Sequence, residues 1–332
     1  MGGDAGGAFG SVGGASGVGS LVPSTGGSTG IGGSSGGGPA IAGPITEFTG
    51  FVEPTFITAG PDGNLWVTEP NANKICRVTI RGAVTEFPLP EARGPYVITV
   101  GPDKNLWFTE AAGKIGRMTP EGSLTEFDVP HSQTGPQDVG LNSITTGPDG
   151  NLWFTIYWEQ FVGSMTTSGE VVLMVSTANK PGAITAGPDG NLWFKESPNS
   201  VGRVTTSGVY RDFPVPTNGG EPDGMTVGSD GNLWFTEAGA GKIGRITTTG
   251  DVTEFDVPTP TGTPYVIAAG PDGNLWFTIN MTNKIGRSTP TGVIEETEVP
   301  EPYAFPFGIT AGPDGAMWFT EVGGNKIGRY SL

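Results

Sequence analysis

The sequence has one cysteine, one histidine and few basic residues for its 332 positions. Because Cys76 is the only cysteine, no disulfide can form within the chain, and neither an oxidising nor a reducing compartment is indicated. The chain has 17 lysines and arginines against 33 acidic residues, and the net charge of −16 argues against a nucleic-acid partner. No apolar run approaches the ~20 residues of a membrane-spanning helix.

Residues 1–44 differ in composition from the rest of the chain. They are rich in glycine and serine and carry a single charge, at Asp4. Such a segment buries too little apolar surface to fold as an isolated domain, which predicts a flexible linker. A second interpretation stays open, in which residues 1–44 are ordered by self-association. The segment lacks the basic start and apolar run of a secretion signal, so the localisation is left open, and such an arm suggests a surface or extracellular assembly.

Residues 45–332 are built from one repeated line, G-P-D-G-N-L-W-F-T-E and its variants. A period near 40 to 45 residues with several short strand-like segments in each unit predicts a β-propeller. Gly 58 and Pro 29 suit a turn-rich chain of short strands rather than a helical one. Seven units predict seven blades of four strands each. The repeated tryptophans are Trp66, Trp107, Trp153, Trp193, Trp234, Trp276 and Trp318.

The two ends of the repeat region predict how the ring closes. The last repeat stops at KIGRYSL and lacks a fourth strand, whereas ITEF at 45–48 is a fourth strand without the preceding three. Pairing of these segments leaves no sheet open at the seam. The predicted fold class is therefore all-β: a seven-bladed propeller over 45–332, closed by its N-terminal strand and preceded by the Gly/Ser-rich arm 1–44.

The tight P-D-G turn between the first and second strands brings the start of strand one and the end of strand two together at the opposite end of each blade, here called the mouth. Two rings of residues are predicted there. The residues that enter strand one form the first ring: Thr55, Tyr96, Asn142, Gly182, Asp223, Tyr265 and Phe307. The residues three beyond each repeated tryptophan form the second: Glu69, Glu110, Ile156, Glu196, Glu237, Ile279 and Glu321.

Several repeated features have a structural explanation. We expect the glutamates of the second ring to accept backbone hydrogen bonds at strand ends. Cys76 stands where sister repeats have glycine, which predicts a small buried residue rather than a reactive thiol. We expect the arginines that recur in register to pack against tryptophan or carboxylate: Arg77, Arg117, Arg203, Arg245, Arg287 and Arg329. Functional residues are therefore expected where the repeats disagree.

The repeats disagree most at the third blade. The connection before it is lengthened by PHSQTGPQDVG, and its second-to-third-strand loop, IYWEQF, adds Tyr157 and Trp158. With aromatic residues of other blades, Tyr303 and Phe305 among them, these side chains predict an aromatic mouth with an acidic rim. Such a site stacks on sugar rings or apolar peptide groups, and the alternative is that the rings only plug the channel. The predicted ligand is a small molecule, glycan or peptide, bound by Tyr96, Tyr157, Trp158, Asp223, Tyr265 and Phe307.

The repeat text ITAGPDGNLWFTE, followed by NKIGRIT and ITEF, resembles the virginiamycin B lyase family over residues 45–332. This resemblance implies a seven-bladed propeller that linearises streptogramin B depsipeptides. It also implies a histidine base in an E-P-H-G-I segment of the last blade, Mg²⁺ held by that segment's glutamate and a later one, and a substrate-contacting histidine in the blade before.

The positions that match those motifs carry other residues here. Phe305 stands for the metal-binding glutamate, Phe307 for the base and Tyr265 for the substrate-contacting histidine. Glu321 matches the remaining metal position and binds a cation weakly by itself. His131, the only histidine, lies in the insertion before the third blade and is interpreted as a surface residue.

A rebuilt site is the second interpretation. Glu221-Pro222-Asp223 keeps the family's spacing of an acid, a proline and a third residue, and Glu237 ends the second strand of the same blade. Glu221 or Asp223 would then act as a base, and these two with Glu237 would hold a hard cation such as Mg²⁺. A carboxylate is a weak base for an α-proton unless burial raises its pKa.

The sequence therefore leaves two functions from different classes. The first is a non-catalytic binding module, displayed by the arm on a cell surface, fibre or virion tail. The second is a metal-dependent lyase or hydrolase of a cyclic depsipeptide, with Mg²⁺ as its cofactor.

Overall fold

Four-stranded antiparallel sheets make up the computed structural model, which describes residues 44–91, 93–130 and 140–332. The strands are numbered in chain order. The first four blades consist of β2 (Ile57–Ala59), β3 (Leu65–Glu69), β4 (Lys74–Val78) and β5 (Val84–Pro88); β6 (Pro95–Val100), β7 (Leu106–Glu110), β8 (Lys114–Met118) and β9 (Leu124–Asp128); β10 (Leu141–Thr146), β11 (Leu152–Ile156), β12 (Phe161–Met165) and β13 (Val171–Ser176); and β14 (Lys180–Ala186), β15 (Leu192–Ser197), β16 (Ser200–Val204) and β17 (Tyr210–Pro214).

The last three blades follow the same plan, with one 3₁₀ turn at Asn280–Thr282 in the sixth. They consist of β18 (Pro222–Val227), β19 (Leu233–Glu237), β20 (Lys242–Ile246) and β21 (Val252–Asp256); β22 (Pro264–Ala269), β23 (Leu275–Ile279), β24 (Lys284–Ser288) and β25 (Ile294–Glu298); and β26 (Pro306–Ala311), β27 (Met317–Glu321), β28 (Lys326–Tyr330) and β1 (Ile45–Thr49). In the described residues this gives seven blades, so the predicted all-β, seven-bladed fold is confirmed.

The seventh blade takes its outer strand from the other end of the repeat region. β1 pairs antiparallel with β28 from Ile45 opposite Tyr330 to Thr49 opposite Lys326. The innermost strands β2 and β26 of the first and seventh blades also lie against each other. The predicted closure by the N-terminal strand is therefore confirmed, and it removes an open sheet edge at the seam.

Each blade is held to the next by its repeated tryptophan. Trp66 of the first blade packs on Leu106 and Phe108 of the second, and Trp318 of the seventh packs on Leu65 of the first. The indole N–H donates to the aspartate of the same P-D-G turn, as from Trp318 to Asp314 at 3.0 Å. The repeat therefore supplies a buried wedge whose polar atom is satisfied locally.

The predicted structural roles of the arginines and of Cys76 are confirmed. The recurring arginines lie over the tryptophan rings, with Arg117 5.7 Å from the ring centre of Trp107. Cys76 is buried, and its thiol donates to Glu69 Oε1 at 3.0 Å. Burial raises the pKa of this thiol, which makes it unreactive at neutral pH.

Candidate functional site

The mouth residues are held in place by a hydrogen bond that recurs around the propeller. The threonine two residues beyond the repeated tryptophan donates its hydroxyl to a carbonyl of the next blade's first ring. Thr278 bonds to Phe307 O at 2.7 Å, and Thr320 bonds to Thr55 O at 2.7 Å across the seam. The same hydroxyl accepts a backbone N–H of its own blade, as Thr320 does from Gly308 at 2.8 Å. The first ring is therefore a rigid platform.

Four aromatic side chains of this platform form a continuous arc. The ring centres of Tyr96 and Phe56 lie 4.8 Å apart, those of Phe56 and Phe307 5.3 Å apart, and those of Phe307 and Tyr265 5.6 Å apart. The arc runs through the second, first, seventh and sixth blades. It brings together three of the predicted ligand residues and adds Phe56, which the sequence reasoning missed because that residue follows the predicted ring position by one.

The fourth and fifth blades complete the ring with an ion pair. Lys195 Nζ lies 2.9 Å from Asp223 Oδ1, and its side chain is 14% exposed. Lys195 occupies the position that carries threonine in the other six blades. Its aliphatic chain lies over Gly182, where any Cβ would overlap the lysine side chain. Lys195 therefore replaces the missing side chain of the first ring in the fourth blade.

Sequence reasoning missed Lys195, although two signals were present. The fourth repeat reads LWFKE where its sisters read LWFTE or close variants, and the same repeat has glycine in the first ring. Only the three-dimensional placement connects the two departures, because Gly182 and Lys195 lie on neighbouring strands and 13 positions apart.

The protonation states of this pair follow from its surroundings. Burial opposes the charge of Lys195, but the charge and hydrogen bond of Asp223 outweigh it and raise the pKa of the ammonium. Burial and the negative charge of Asp223 raise the pKa of the Tyr265 phenol, and the charge of Lys195 opposes that shift. At neutral pH Lys195 is therefore an ammonium and Tyr265 a neutral hydrogen-bond donor.

A second aromatic group lies beside Lys195, at the third blade. Tyr157 and Trp158 contact edge to face with ring centres 4.8 Å apart. The ammonium of Lys180, from the fourth blade, lies 4.7 Å from the ring centre of Trp158 and 5.4 Å from that of Tyr157. Trp158 is 48% exposed and available to a ligand. Residues 131–139 of the PHSQTGPQDVG stretch, His131 included, lie outside the described residues.

The three carboxylates predicted as a cation site do not converge. Asp223 is engaged by Lys195, Glu237 is buried beneath Gly220, and Glu221 is exposed beside Gly239. Within 44–91, 93–130 and 140–332, no three His, Cys, Asp or Glu side chains are grouped to hold a metal ion. An ammonium already neutralises Asp223, the central carboxylate of this set, which makes it a poor ligand for Mg²⁺, and the Mg²⁺ site stays a prediction.

The last blade does not fit Mg²⁺ either. Phe305 packs against Gly323, and Glu321 is buried with both carboxylate oxygens lacking a hydrogen-bond partner among the described residues. The nearest charges include the Lys326 ammonium, which pairs with Glu47 at 2.9 Å and with Glu301. A single carboxylate beside a lysine is a poor site for a divalent cation.

The second ring is more buried than expected. Glu69 accepts the backbone N–H of Val52 at 2.9 Å, as predicted. The prediction is wrong for Glu110, Glu237 and Glu321, whose oxygens have no hydrogen-bond partner in the part of the chain that the structure describes. Burial, reinforced by neighbouring carboxylates, raises their pKa values to about 8, 7 and 8. These glutamates lie within the blades and do not form a polar rim.

Comparison with known proteins gives consistent results. The family model described as the virginiamycin B lyase family matches residues 41–196 and 135–332. A streptogramin B lyase structure is 39% identical with a TM-score of 0.80, covering 86% of this chain and 96% of its own. A catalytically inactive histidine-to-alanine variant of virginiamycin B lyase from Staphylococcus aureus, with quinupristin, is 38% identical with a TM-score of 0.80, covering 87% of this chain and 99% of its own.

Two further results complete the comparison. The WD40 propeller domain of Doa1 is 12% identical with a TM-score of 0.71 over 86% of this chain and 95% of its own, a likeness of fold alone. Curated proteins gave no match.

Among the described residues, no helix has the length and apolar character needed to cross a membrane. The family model and the two lyase structures cover the whole propeller, and the chain belongs to the virginiamycin B lyase family.

Proposed function

We propose that this chain is a non-catalytic binding member of its family, which holds a small molecule, glycan or peptide at the mouth of the propeller. The observation that carries the proposal is the division of the first ring into an aromatic arc and an ion pair. The rings of Tyr96, Phe56, Phe307 and Tyr265 offer stacking surfaces. The Lys195–Asp223 pair offers polar groups that orient a ligand.

The residues at the family's catalytic positions support binding without catalysis. Phe307 has no proton-transferring group and packs between Phe56 and Tyr265. Burial and the charge of Asp223 raise the pKa of the Tyr265 phenol, which is therefore a poor base at neutral pH. The charge of Asp223 also raises the pKa of Lys195 and keeps it protonated. An elimination needs a base within reach of the proton that it removes. Of the two carboxylates predicted as bases, Asp223 has its Oδ1 engaged by the Lys195 ammonium and Glu221 is exposed.

Titration calorimetry with quinupristin tests the proposal, because quinupristin is bound by a family member of the same fold. We expect saturable binding by the wild-type chain and a loss of at least tenfold in affinity in Phe307→Ala and Tyr265→Ala. Val293→Ala, a change at an exposed valine of an outer turn, is the matched control and leaves affinity unchanged. Equal affinity in all four proteins would place the ligand away from the mouth and contradict the proposal.

A lyase or hydrolase with a rebuilt carboxylate site is the second candidate, and the position of Asp223 in the first ring is the observation that favours it. Mass spectrometry of quinupristin incubated with the chain and Mg²⁺ decides between the two. Linear product above background, lost in Asp223→Asn, would establish the enzyme. Unchanged quinupristin under conditions where calorimetry detects binding supports the binding module.

Display by the glycine-rich arm belongs to the same proposal. Residues 1–43 lie outside the described residues, so the support for it is their composition alone. A binding module on a flexible or self-associating arm suits a cell surface, fibre or virion tail, where one copy gains avidity from its neighbours.

A further inference from the structure

We infer that the mouth selects ligands in which an apolar or aromatic body carries a carboxylate, and that Lys195 and Lys180 bind this carboxylate. The inference rests on the proposed function, because it names the ligand class of the same site. It goes beyond the family resemblance, because Lys195 is a departure of this chain from its own repeat.

The first step is the geometry that directs Lys195 to the mouth. In the neighbouring blades the corresponding threonine donates its hydroxyl to a carbonyl of the next blade, as Thr155 does to Gly182 O at 2.9 Å. Lys195 instead extends over Gly182, where the absence of a side chain leaves room for its methylene groups. The ammonium therefore emerges in the first ring, at the place that an aromatic or polar ring residue occupies in other blades.

The second step is the local balance of charge. The ammonium of Lys195 has one carboxylate partner, Asp223. The ammonium of Lys180 lies over Tyr157 and Trp158 and makes no ion pair with any residue of 44–91, 93–130 or 140–332. Lys180 lies on β14, the strand that pairs with the β15 strand of Lys195, and Tyr157 also contributes to the electrostatics of Lys195. Lys180 therefore offers this sector an ammonium group without an ion-pair partner among the described residues.

The third step is the fit of a ligand. A carboxylate between Lys180 and Lys195 would give the Lys180 ammonium an ion-pair partner, and charge-assisted hydrogen bonds of this kind are the stronger ones. Asp223 keeps Lys195 charged, which an isolated buried lysine would not remain. The apolar body of the same ligand would lie on the aromatic arc, which begins at Tyr265 next to Asp223 in blade order.

The test compares two probes that differ only in charge, N-acetyl-L-phenylalanine and N-acetyl-L-phenylalanine amide, titrated into the full chain. We expect the acid to bind at least tenfold more tightly than the amide, and the preference to weaken with added NaCl. Lys195→Thr restores the residue of the other six blades and should reduce the preference to less than threefold. Lys104→Gln, the same charge change in an exposed turn, is the matched control and keeps the preference.

The outcomes separate this inference from the proposed function. Equal affinity for acid and amide, with saturable binding of both, would overturn the carboxylate preference and leave a binding mouth. A preference that survives Lys195→Thr and Lys180→Gln would also overturn it. If neither probe binds while quinupristin does, the ligand class is wrong although the mouth binds. Thermal denaturation of each variant distinguishes a lost contact from a lost fold.

Discussion

Gly182 and Lys195 are mutually dependent residues of the fourth blade. Lys195 lies across Gly182 so closely that a Cβ on Gly182 would overlap its Cγ, Cδ and Cε. Glycine is needed for space rather than for backbone conformation, because Gly182 does not have a positive φ. The one first-ring glycine and the one lysine at the threonine position therefore form a single structural unit.

This dependence predicts the effect of Gly182→Ala. The added methyl group displaces Lys195 from Asp223, and we expect a loss of about 1 to 3 kcal/mol in the free energy of unfolding, the usual cost of overpacking. Lys195→Thr removes the obstacle, so Gly182→Ala should be nearly neutral in that background. Urea denaturation of the two single variants and the double variant measures the coupling. Additive losses would show that the two residues do not depend on each other.

Trp158 should dominate the solvent-accessible tryptophan fluorescence. The seven repeated tryptophans are buried, whereas Trp158 is 48% exposed. We expect Trp158→Phe to remove most of the acrylamide-quenchable emission without lowering the melting temperature, since the rest of the indole emission comes from shielded rings. Trp234→Phe, at a buried position, should instead lower the melting temperature and leave the quenchable emission unchanged. Equal quenching of wild type and Trp158→Phe would contradict the predicted exposure.

The buried glutamates predict a stability that falls as the pH rises. Burial, with the nearby charges of Glu47 and Glu301, raises the pKa of Glu321 to about 8 in the folded state, and Lys326 opposes that shift. Between the ordinary carboxyl pKa of about 4.5 and about 8, the folded chain binds a proton that the unfolded chain has released. Proton linkage then lowers the unfolding free energy as the pH rises across this window, by at most about 1.4 kcal/mol per pH unit for one such group, and leaves it flat above the window.

Glu321→Gln tests this sign. The neutral amide removes the titration, so we expect the variant to melt higher than wild type at pH 8 and to lose that advantage at pH 5. Glu121→Gln, in an exposed turn, is the control for a general change in net charge and should show no such crossover. A difference from wild type that is the same at both pH values would mean that Glu321 is ionised throughout.

The closing strand predicts what a shorter chain would do. Phe48 of β1 stacks on Trp318 of β27 with ring centres 5.3 Å apart, the contact that Phe87 makes with Trp66 within the first blade. A chain that begins at Gly50 loses β1 and leaves the edge of β28 open. We expect it to melt well below a chain that begins at Pro44 and to self-associate, because an unpaired edge accepts foreign strands. Thermal denaturation with light scattering compares the two, and equal behaviour would show that β1 is dispensable.

The composition of the glycine-rich arm predicts that residues 1–43 are a linker, with self-association as the alternative. Light scattering and negative-stain electron microscopy of the full chain against the chain that begins at Pro44 provide the measurement. The composition predicts a flexible linker, so we expect both chains to be the same monomer, and ordered oligomers or fibres only in the full chain would instead show self-association through the arm. Identical monomers would make the arm a linker.

The repeat in the sequence was enough to predict most of the fold. The blade number could be deduced without coordinates, because the tryptophan period and the P-D-G turns are local features that are copied seven times. Ring closure could be deduced as well, because the strand at 45–48 has no preceding three strands of its own. The departures at Tyr265, Phe305 and Phe307 were visible only against the motifs of the family that the sequence resembles, because the first-ring positions vary among the repeats.

The site depended on contacts that no repeat encodes. Phe56 joins the aromatic arc through contacts with rings of neighbouring blades. Lys195 crosses Gly182 and reaches Asp223 of the next blade. Glu221, Asp223 and Glu237 stay apart because of how their strands are placed. Sequence determined which residues stand at the mouth, since strand order and turn length place them there. Tertiary structure decided their charges and partners, because burial and close packing across blades set which groups meet and which of them ionise.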